Sequence, residues 1–215
     1  MKLFEKYNPR DWSEVIGQTA ALRQIQLLAR NGLGGRAYWI AGPSGTGKTT
    51  IASLLAAEVA DEFTTIAADA AGLTIKDIDD MERQASGRSL GKGGWAFLIN
   101  EAHRLRKDTI GRLLNALDTG RIGRHVMWVF TTTDEGEALL FDGAIDAHPL
   151  VSRCTVLKMA PRRQLELDFA MHCRRVAASE NLDGKGIDDY VRLVRLHKLN
   201  LRACLQAIEA GDMLE

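Results

Sequence analysis

The sequence has few cysteines, no excess of charge of either sign and no long apolar run. Its 215 residues include three cysteines, Cys154, Cys173 and Cys204, none of which forms a Cys-x-x-Cys pair. This excludes a recognisable zinc module and a disulfide framework, and it indicates reduced thiols in a cytoplasmic protein. Basic and acidic residues balance at 28 each. The balance excludes a uniformly basic surface that would bind nucleic acid everywhere, but it is compatible with a local basic patch.

We expect no signal peptide, and the sequence contains no membrane-spanning run and no internal repeats. Its first ten residues are too polar for a signal peptide, and no apolar stretch approaches the length needed to cross a bilayer. Hydrophobic residues make up 46% and charged residues 26% of the chain, as in ordinary globular proteins. We therefore expect a soluble protein with one ordinary domain and a small second one.

A complete phosphate-loop motif lies at residues 42–50, Gly-Pro-Ser-Gly-Thr-Gly-Lys-Thr-Thr. Its glycines let backbone N–H groups approach a phosphate, Lys48 can reach the β- and γ-phosphates, and the Thr49 hydroxyl can ligate Mg²⁺. An apolar run, Ala37–Ala41, precedes the loop, and a helical pattern over Thr50–Ala60 follows it. A glycine-rich turn with a chance lysine would lack this context, so the pattern favours a nucleotide site.

Another predicted buried strand, Trp95–Ile99, runs directly into Asn100 and Glu101. Phosphate-loop ATPases place a carboxylate at such a strand end, beside the magnesium ion and the attacking water. Glu101 is therefore the candidate base that orients or deprotonates the water. Without the phosphate loop upstream, a solvated glutamate at the end of a strand would be the simpler interpretation.

Cationic residues surround the next predicted helix, Asp108–Leu117, in an otherwise neutral chain. They are Arg104, Arg106, Lys107, Arg112, Arg121 and Arg124. The glycine-rich loop at residues 87–94 adds Arg88 and Lys92. Such a cluster is equally consistent with a solvated helix face and with a surface for DNA or a protein partner.

Strands and helices alternate as far as Lys158, and only helices are predicted beyond Pro161. The predicted strands are Ala37–Ala41, Phe63–Ala68, Trp95–Ile99, Val126–Phe130 and Thr155–Lys158. The pattern predicts an α/β fold with a parallel five-stranded sheet flanked by helices over residues 1–160. Three helices, predicted at residues 162–179, 187–197 and 201–210, would form a small lid over residues 161–215. We expect residues 1–17 to be a loop and residues 136–150 to be irregular.

Six short motifs, in the right order around the phosphate loop, resemble those of clamp-loader AAA+ ATPases, such as replication factor C small subunits and the gamma/tau subunit of bacterial DNA polymerase III. They are Lys6–Arg10 with Val15–Gln18, Ile66–Asp69 with Gly72, Glu101–His103, Thr133, Ser152–Cys154 and Leu201–Arg202. The resemblance covers nearly all of the chain. It implies the AAA+ phosphate-loop fold, ATP and Mg²⁺ as ligands, ATP hydrolysis, and an oligomer that acts on DNA.

The resemblance also implies roles for individual residues. Glu101 and Thr133, at the sensor 1 position, would orient the attacking water. Arg202, at the sensor 2 position, would contact the γ-phosphate, and Arg153 would act on ATP held by a neighbouring subunit. Thr49 and, through water, Asn100 would hold Mg²⁺. The residues implied to bind ATP are Tyr7, Pro9, Val15, Ile16, Gly42, Pro43, Ser44, Gly45, Thr46, Gly47, Lys48, Thr49, Thr50 and Arg202.

Three features depart from the family pattern. Asn100 stands where an aspartate usually supports the magnesium water shell, so we expect weaker Mg²⁺ binding or slower turnover. The segment before Ser152 is long and contains Asp142, Asp146 and His148, for which a solvated loop is favoured over a metal site. The third departure is that the resemblance ends at the lid, whereas clamp-loader subunits continue into a helical collar. We therefore expect a compact version of the family that assembles through the nucleotide interface, DNA or another protein.

Three functions are consistent with these residues. The first is an ATP-hydrolysing oligomer in DNA replication that loads a sliding clamp or a related factor onto DNA. The second is an ATP-dependent scaffold or switch with little hydrolysis, which the asparagine at position 100 suggests. The third is an AAA+ remodeller in recombination or transposition, because a fold does not fix its substrate.

Overall fold

A five-stranded parallel sheet forms the centre of the computed structural model, which describes residues 1–118, 122–133 and 148–214. The spatial order of the strands is β2-β3-β4-β1-β5, and every neighbouring pair is parallel. In chain order they are β1 Arg36–Ala41, β2 Ala60–Asp69, β3 Gly94–Asn100, β4 Val126–Thr132 and β5 Thr155–Lys158. The predicted α/β fold class is confirmed, and each predicted strand lies within an observed one.

Helices connect the strands and then continue alone to the end of the described chain. They are α1 Leu3–Lys6, α2 Thr19–Ala29, α3 Lys48–Val59, α4 Ile75–Gln84, α5 Lys107–Ala116, α6 His148–Ser152, α7 Arg162–Ser179, α8 Ile187–Leu196 and α9 Leu201–Glu209. Two short 3₁₀ helices cover Trp12–Glu14 and Ala102–Arg104. In the described part of the chain, no helix is both long enough and apolar enough to cross a membrane.

Successive side chains of the central strands point to opposite faces of the sheet, and both faces are covered. On one face, Trp39, Phe97 and Trp128 pack with the apolar sides of α4 and α5. On the other face, Tyr38 and Ile40 pack with α2 and α3. Because both faces are buried, the central strands are almost continuous apolar runs, which is why they could be located from the sequence.

The helices after Pro161 have a hydrophobic core of their own, to which the N-terminal helix contributes. Leu3 of α1 is buried in this core, and its backbone N–H lies 3.4 Å from a carboxylate oxygen of Glu209 in α9. The prediction that residues 1–17 form a loop is therefore wrong for Leu3–Lys6 and Trp12–Glu14. A four-residue helix is too short to show a periodic pattern, and its stabilising contacts come from the other end of the chain.

The expectation of an irregular segment at residues 136–150 is wrong at its end, because α6 begins at His148. Pro149 occupies the first turn of this helix, where the missing N–H of a proline costs nothing. Asp142 and Asp146 of the predicted acidic loop, and Arg121 of the cationic cluster, lie outside the described residues.

Candidate functional site

The strand order brings the phosphate loop, Glu101 and the end of β4 together at one edge of the sheet. The phosphate loop follows β1, Thr131 lies near the end of β4, and Glu101 follows β3. Since these three strands are neighbours and parallel, their carboxyl ends meet. The segments line a cleft of about 560 Å³, a volume typical of small-molecule sites.

The phosphate loop presents its backbone to this cleft. Gly45 and Gly47 have φ values of 81° and 93°, which only glycine adopts without strain. Gly47 is the residue preceding α3, and no side chain caps the N–H groups of the first turn. Uncapped N–H groups at a helix N-terminus form a site for an anion such as phosphate.

Side chains of the phosphate loop are held by the loop itself. Lys48 is 8% exposed, and its ammonium donates to the backbone oxygens of Gly42 and Pro43, at 2.9 Å each. The Thr46 hydroxyl also donates to Pro43, at 2.8 Å. Thr49 is exposed at the cleft, so its hydroxyl is accessible to a ligand. The ammonium is therefore positioned within the loop before any phosphate binds.

Most residues predicted to bind ATP line the cleft. These are Tyr7, Pro9, Val15, Ile16, Ser44, Gly45, Thr46, Gly47, Lys48, Thr49, Thr50 and Arg202. Gly42 and Pro43 are not on the cleft wall. They lie on the side of the loop that faces the protein interior. A Cβ on Gly42 would approach Met159 to 2.5 Å, and the backbone oxygens of both residues accept hydrogen bonds from the Lys48 ammonium.

Glu101 lines the cleft in a strained backbone conformation. Its φ and ψ are 54° and 46°, in the left-handed region that non-glycine residues seldom adopt. The carboxylate is 44% exposed, and one of its oxygens lies 3.5 Å from Nε2 of His103. Strain of this kind concentrates at functional sites, where the surrounding structure holds a side chain in place.

Asn100 at the end of β3 is joined to Thr131 of β4 by a hydrogen bond beside the cleft. The Asn100 amide oxygen accepts a hydrogen bond of 3.1 Å from the Thr131 hydroxyl, and it is Thr131 that lines the cleft. Thr133, predicted to orient water, and Asn100, predicted to support Mg²⁺, are not among the lining residues. Thr133 is the last described residue before residue 148.

Arg153 lies outside the cleft of its own chain. Its guanidinium donates to Asp118 Oδ1 at 3.0 Å and to the backbone oxygen of Pro149 at 3.0 Å. The neighbouring Cys154 is partly buried, and burial raises the pKa of its thiol to about 12, so it is a packing residue and not a nucleophile. The chain therefore presents Arg153 at a surface distinct from its own nucleotide cleft.

The helices after Pro161 close one side of the cleft. Arg202 of α9 lines it, with its guanidinium carbon 5.2 Å from the centre of the Phe4 ring. A Cβ on Gly45 would lie 2.7 Å from Cα of Asn200, so the residue preceding α9 rests directly on the phosphate loop. Glu180, which follows α7, accepts hydrogen bonds of 2.5 Å from Lys6 and Tyr7. These two bonds, the one from Lys6 first, hold the pKa of Glu180 below its ordinary value.

Sequence reasoning missed Gln18 as part of the site. This side chain is 1% exposed, donates to the backbone oxygen of Thr46 at 3.0 Å and accepts from the N–H of Ala160 at 2.7 Å. It thus joins the phosphate loop to the residue preceding Pro161. Its position in the Val15–Gln18 motif was the one signal that could have identified it.

Further residues line the cleft without having been predicted as part of the site. They are Phe4, Glu5, Asn8, Ser53, Thr131, Phe169, His172, Asn200, Leu201 and Leu205. Asn8 and Leu201 belong to the Lys6–Arg10 and Leu201–Arg202 motifs, which were the signal available for these two. The positions of Phe4, Phe169 and Leu205 depend on how α1, α7 and α9 pack, which local patterns do not reveal. Within the described ranges, no group of three or more histidine, cysteine or acidic side chains is placed to hold a metal ion.

The cationic residues proposed to contact DNA are partly committed to contacts within the chain. Arg112 of α5 pairs with Asp79 and Glu82 of α4, and these bonds raise the pKa of its guanidinium. The Lys92 ammonium donates to the backbone oxygen of Ala57. Arg106 donates to a backbone oxygen at 3.2 Å, and Arg104 lies 3.8 Å from a carboxylate oxygen of Asp69. The pairing of Arg112 favours a structural role for that residue.

Similar proteins share both the sequence pattern and the fold. Replication factor C small subunit 1 of Pyrobaculum arsenaticum is 27% identical over 201 residues, which cover 89% of this chain and 55% of that protein. DNA polymerase III subunit gamma/tau of Mycobacterium bovis is 24% identical over 164 residues, covering 65% of this chain and 28% of that protein. The chain therefore spans about half or less of the length of these relatives.

The solved structure of the Thermotoga maritima RuvB Holliday junction branch migration motor has the same fold. Its TM-score is 0.69 at 20% identity, over 94% of this chain and 64% of that one. The family model described as "ATPase family associated with various cellular activities (AAA)" matches residues 38–154, which include the phosphate loop, Glu101 and Arg153. With more than half of its length matched and its nucleotide cleft in place, this chain belongs to the AAA family of ATPases.

Proposed function

We propose that this chain binds and hydrolyses ATP as a clamp-loader-like oligomer that acts on DNA in replication. The observation that supports this most strongly is the division of the site. The phosphate loop, Glu101 and Arg202 line one cleft, whereas Arg153 lies on another surface of the same chain. A site completed by an arginine from a neighbour would make hydrolysis depend on assembly. The clamp-loader relatives favour DNA replication as the setting.

In the proposed mechanism, the chain positions the triphosphate and neutralises its charge. Backbone N–H groups of the phosphate loop and the Lys48 ammonium would hold the β- and γ-phosphates, and Glu101 would orient the attacking water. Arg202 would contact the γ-phosphate from α9. The exposed Thr49 hydroxyl fits a ligand of Mg²⁺, which would supply further neutralisation of the phosphate charge. Thr133 and Asn100 remain proposed contributors to water and metal positioning.

We further propose that residues 161–215 act as a lid on a nucleotide-binding domain formed by residues 1–160. The separate hydrophobic core of the later helices supports this division, and the contact of Asn200 with Gly45 joins the lid to the phosphate loop. Loss of ATP would alter the loop that Asn200 touches, so the lid and the nucleotide would be coupled.

The function can be tested by measuring ATP hydrolysis over a series of protein concentrations, with and without primed DNA. We expect the rate per chain to rise with concentration and to rise again with DNA. The control is Lys48→Ala, which removes the ammonium from the phosphate loop and should lower ATP binding at every concentration. The proposal would be contradicted if the chain neither bound nor hydrolysed ATP at any protein concentration.

The alternative of a switch with little hydrolysis is favoured by Asn100. Its amide oxygen keeps the hydrogen bond from Thr131 but has no charge to support a magnesium water shell. We expect Asn100→Asp to keep that bond and to raise turnover by about tenfold or more, equivalent to about 1.4 kcal/mol in the barrier. The measurement is steady-state phosphate release at saturating Mg²⁺.

The control for this exchange is Asn31→Asp, which adds the same charge at an exposed position beyond α2. An Asn100→Asp rate equal to that of the wild type would rule out Asn100 as the cause of slow hydrolysis. In that case the switch alternative would lose the observation that supports it.

For DNA contact, we propose the exposed cations Arg88, Arg104, Arg106 and Lys107. Arg112 and Lys92 belong to the same proposed surface, and like Arg104 and Arg106 they have contacts within the chain. A sliding clamp is a further proposed partner. Protein that neither shifts primed DNA nor binds a clamp in the presence of ATP would contradict a role in clamp loading. The remodeller alternative would then be examined by capturing partners from the native host.

A further inference from the structure

The first helix of the chain packs against the helices that follow Pro161. Leu3 is buried in the hydrophobic core of those helices, and the Phe4 ring lies 5.2 Å from the guanidinium carbon of Arg202 in α9. The backbone N–H of Leu3 also lies 3.4 Å from a carboxylate oxygen of Glu209. The helix α1 is therefore attached to the proposed lid, although almost the whole chain separates the two in sequence.

Tyr7 marks the point at which the N-terminal segment passes from the lid to α3. It directly follows α1, and its hydroxyl donates a hydrogen bond of 2.5 Å to Oε1 of Glu180, which directly follows α7. The next residue, Asn8, instead accepts a hydrogen bond of 3.2 Å from the Thr50 hydroxyl of α3. Glu180 therefore holds the segment at the place where it crosses between the two parts of the structure.

Both sides of this crossing belong to the nucleotide cleft. Tyr7, Asn8 and Pro9 line it from the N-terminal segment, and Thr50 lines it from α3. Glu180 does not line the cleft, so its effect on a bound nucleotide must pass through a residue that does. A wall that is fixed before a ligand binds loses less conformational entropy on binding. The hydrogen bond from Tyr7 to Glu180 is placed to fix this wall.

The bond between Tyr7 and Glu180 joins a neutral donor to an ionised acceptor. Hydrogen bonds from Lys6 and Tyr7 lower the pKa of Glu180, and the bond to Glu180 raises the pKa of Tyr7. The phenol therefore keeps its proton near pH 7, and bonds of this kind are stronger than those between neutral groups. The Lys6 side chain is 46% exposed, so water screens its ion pair and the pair contributes little.

We propose that Glu180 is a positioning residue of the nucleotide site, which holds Tyr7 on the cleft wall and thereby slows the release of bound nucleotide. The inference rests on the proposed ATP binding and deepens it, because a residue of the lid would control a wall formed by the N-terminal segment. Release of nucleotide would require this wall to move. Breaking the bond from Tyr7 to Glu180 would free the wall, while Leu3 would keep α1 in the lid core.

The test measures how fast ADP with an N-methylanthraniloyl group on its ribose is released when excess unlabelled ADP is added. Glu180→Ala and Tyr7→Phe remove the same hydrogen bond from its two ends. Each should release the labelled ADP about 3- to 10-fold faster than the wild type, the effect of one hydrogen bond on a release rate. The variant with both changes should be no faster than the faster single variant, because the bond can be lost only once.

Three further variants separate positioning from a general weakening of the lid. Glu180→Gln keeps an oxygen that can accept from Tyr7, so its release rate should fall between those of the wild type and Glu180→Ala. Lys6→Met removes only the exposed ammonium and should change the rate by less than about twofold. The matched control is Glu166→Ala, which removes another lid carboxylate, paired with Arg195 at 2.7 Å and outside the cleft. It should release ADP at the wild-type rate.

Three results would overturn the inference. Tyr7→Phe, which removes one hydroxyl and decides the question even if Glu180→Ala does not fold, could release ADP at the wild-type rate. The effects of the two single changes could multiply in the double variant, so that Glu180 would not act through Tyr7. Glu166→Ala could speed release as much as Glu180→Ala. Each of these would leave nucleotide binding intact, whereas a wild-type chain that binds neither ATP nor labelled ADP would overturn the proposed function as well.

Discussion

Arg153→Ala is expected to lower the ATPase rate of the assembled protein by about 10³-fold or more, the usual effect of losing an arginine that neutralises charge in the transition state. The variant should bind ATP normally, because Arg153 does not line the cleft of its own chain. The rate is to be measured at a protein concentration where the wild type has reached its highest rate per chain.

The contacts of Arg153 explain how it could be released to a neighbour. Its partner Asp118 and the guanidinium are both partly exposed, and ion pairs of this kind contribute only about 0 to 1 kcal/mol. A phosphate group can therefore replace the Asp118 carboxylate at little cost. The pair would hold the guanidinium at the surface until a second chain approaches.

Mixing two inactive variants distinguishes action in trans from action within one chain. Arg153→Ala keeps its phosphate loop, and Lys48→Ala keeps its arginine. If Arg153 acts on the ATP of a neighbour, the mixture should recover part of the activity that each variant lacks alone. The control is Arg192→Ala, another exposed arginine with an acidic partner, which should keep the wild-type rate. A mixture no faster than its components would contradict a role in trans.

The sheet and the phosphate loop could be predicted because their signals are local. The phosphate loop follows a fixed spacing of residues, and β1, β3 and β4 are apolar runs whose side chains are buried on both faces of the sheet. The helices after Pro161 were found for a similar reason, since their apolar residues repeat with the helical period. In each case the residues that fix the element lie within it.

The rest of the cleft could not be predicted because its residues are brought together from distant parts of the chain. Phe4 lies under the guanidinium of Arg202, which is nearly the whole sequence away, and only Arg202 had a motif that identified it. Gln18 contacts Thr46 and Ala160. Such properties depend on tertiary packing, for which one sequence gives no pattern.

The second large effect is expected for Glu101→Gln, which should lower ATP hydrolysis by about 10²- to 10⁴-fold while leaving ATP binding nearly unchanged. Glutamine matches the shape of glutamate and keeps one oxygen, so the variant should preserve the fold and the cleft. It cannot accept a proton from water, because an amide oxygen is a very weak base. The left-handed backbone at Glu101 is retained, since only the side-chain terminus changes.

Single-turnover hydrolysis with protein in excess over ATP separates this effect from product release, and calorimetry measures the affinity. The matched control is Glu5→Gln, because Glu5 is a second carboxylate on the wall of the same cleft. We expect Glu5→Gln to change the rate by less than about threefold, since rim carboxylates contribute little to positioning. Equal losses in the two variants would mean that the cleft needs negative charge in general. A Glu101→Gln variant as fast as the wild type would instead remove Glu101 as the catalytic base, and the strained backbone at this residue would then require another explanation.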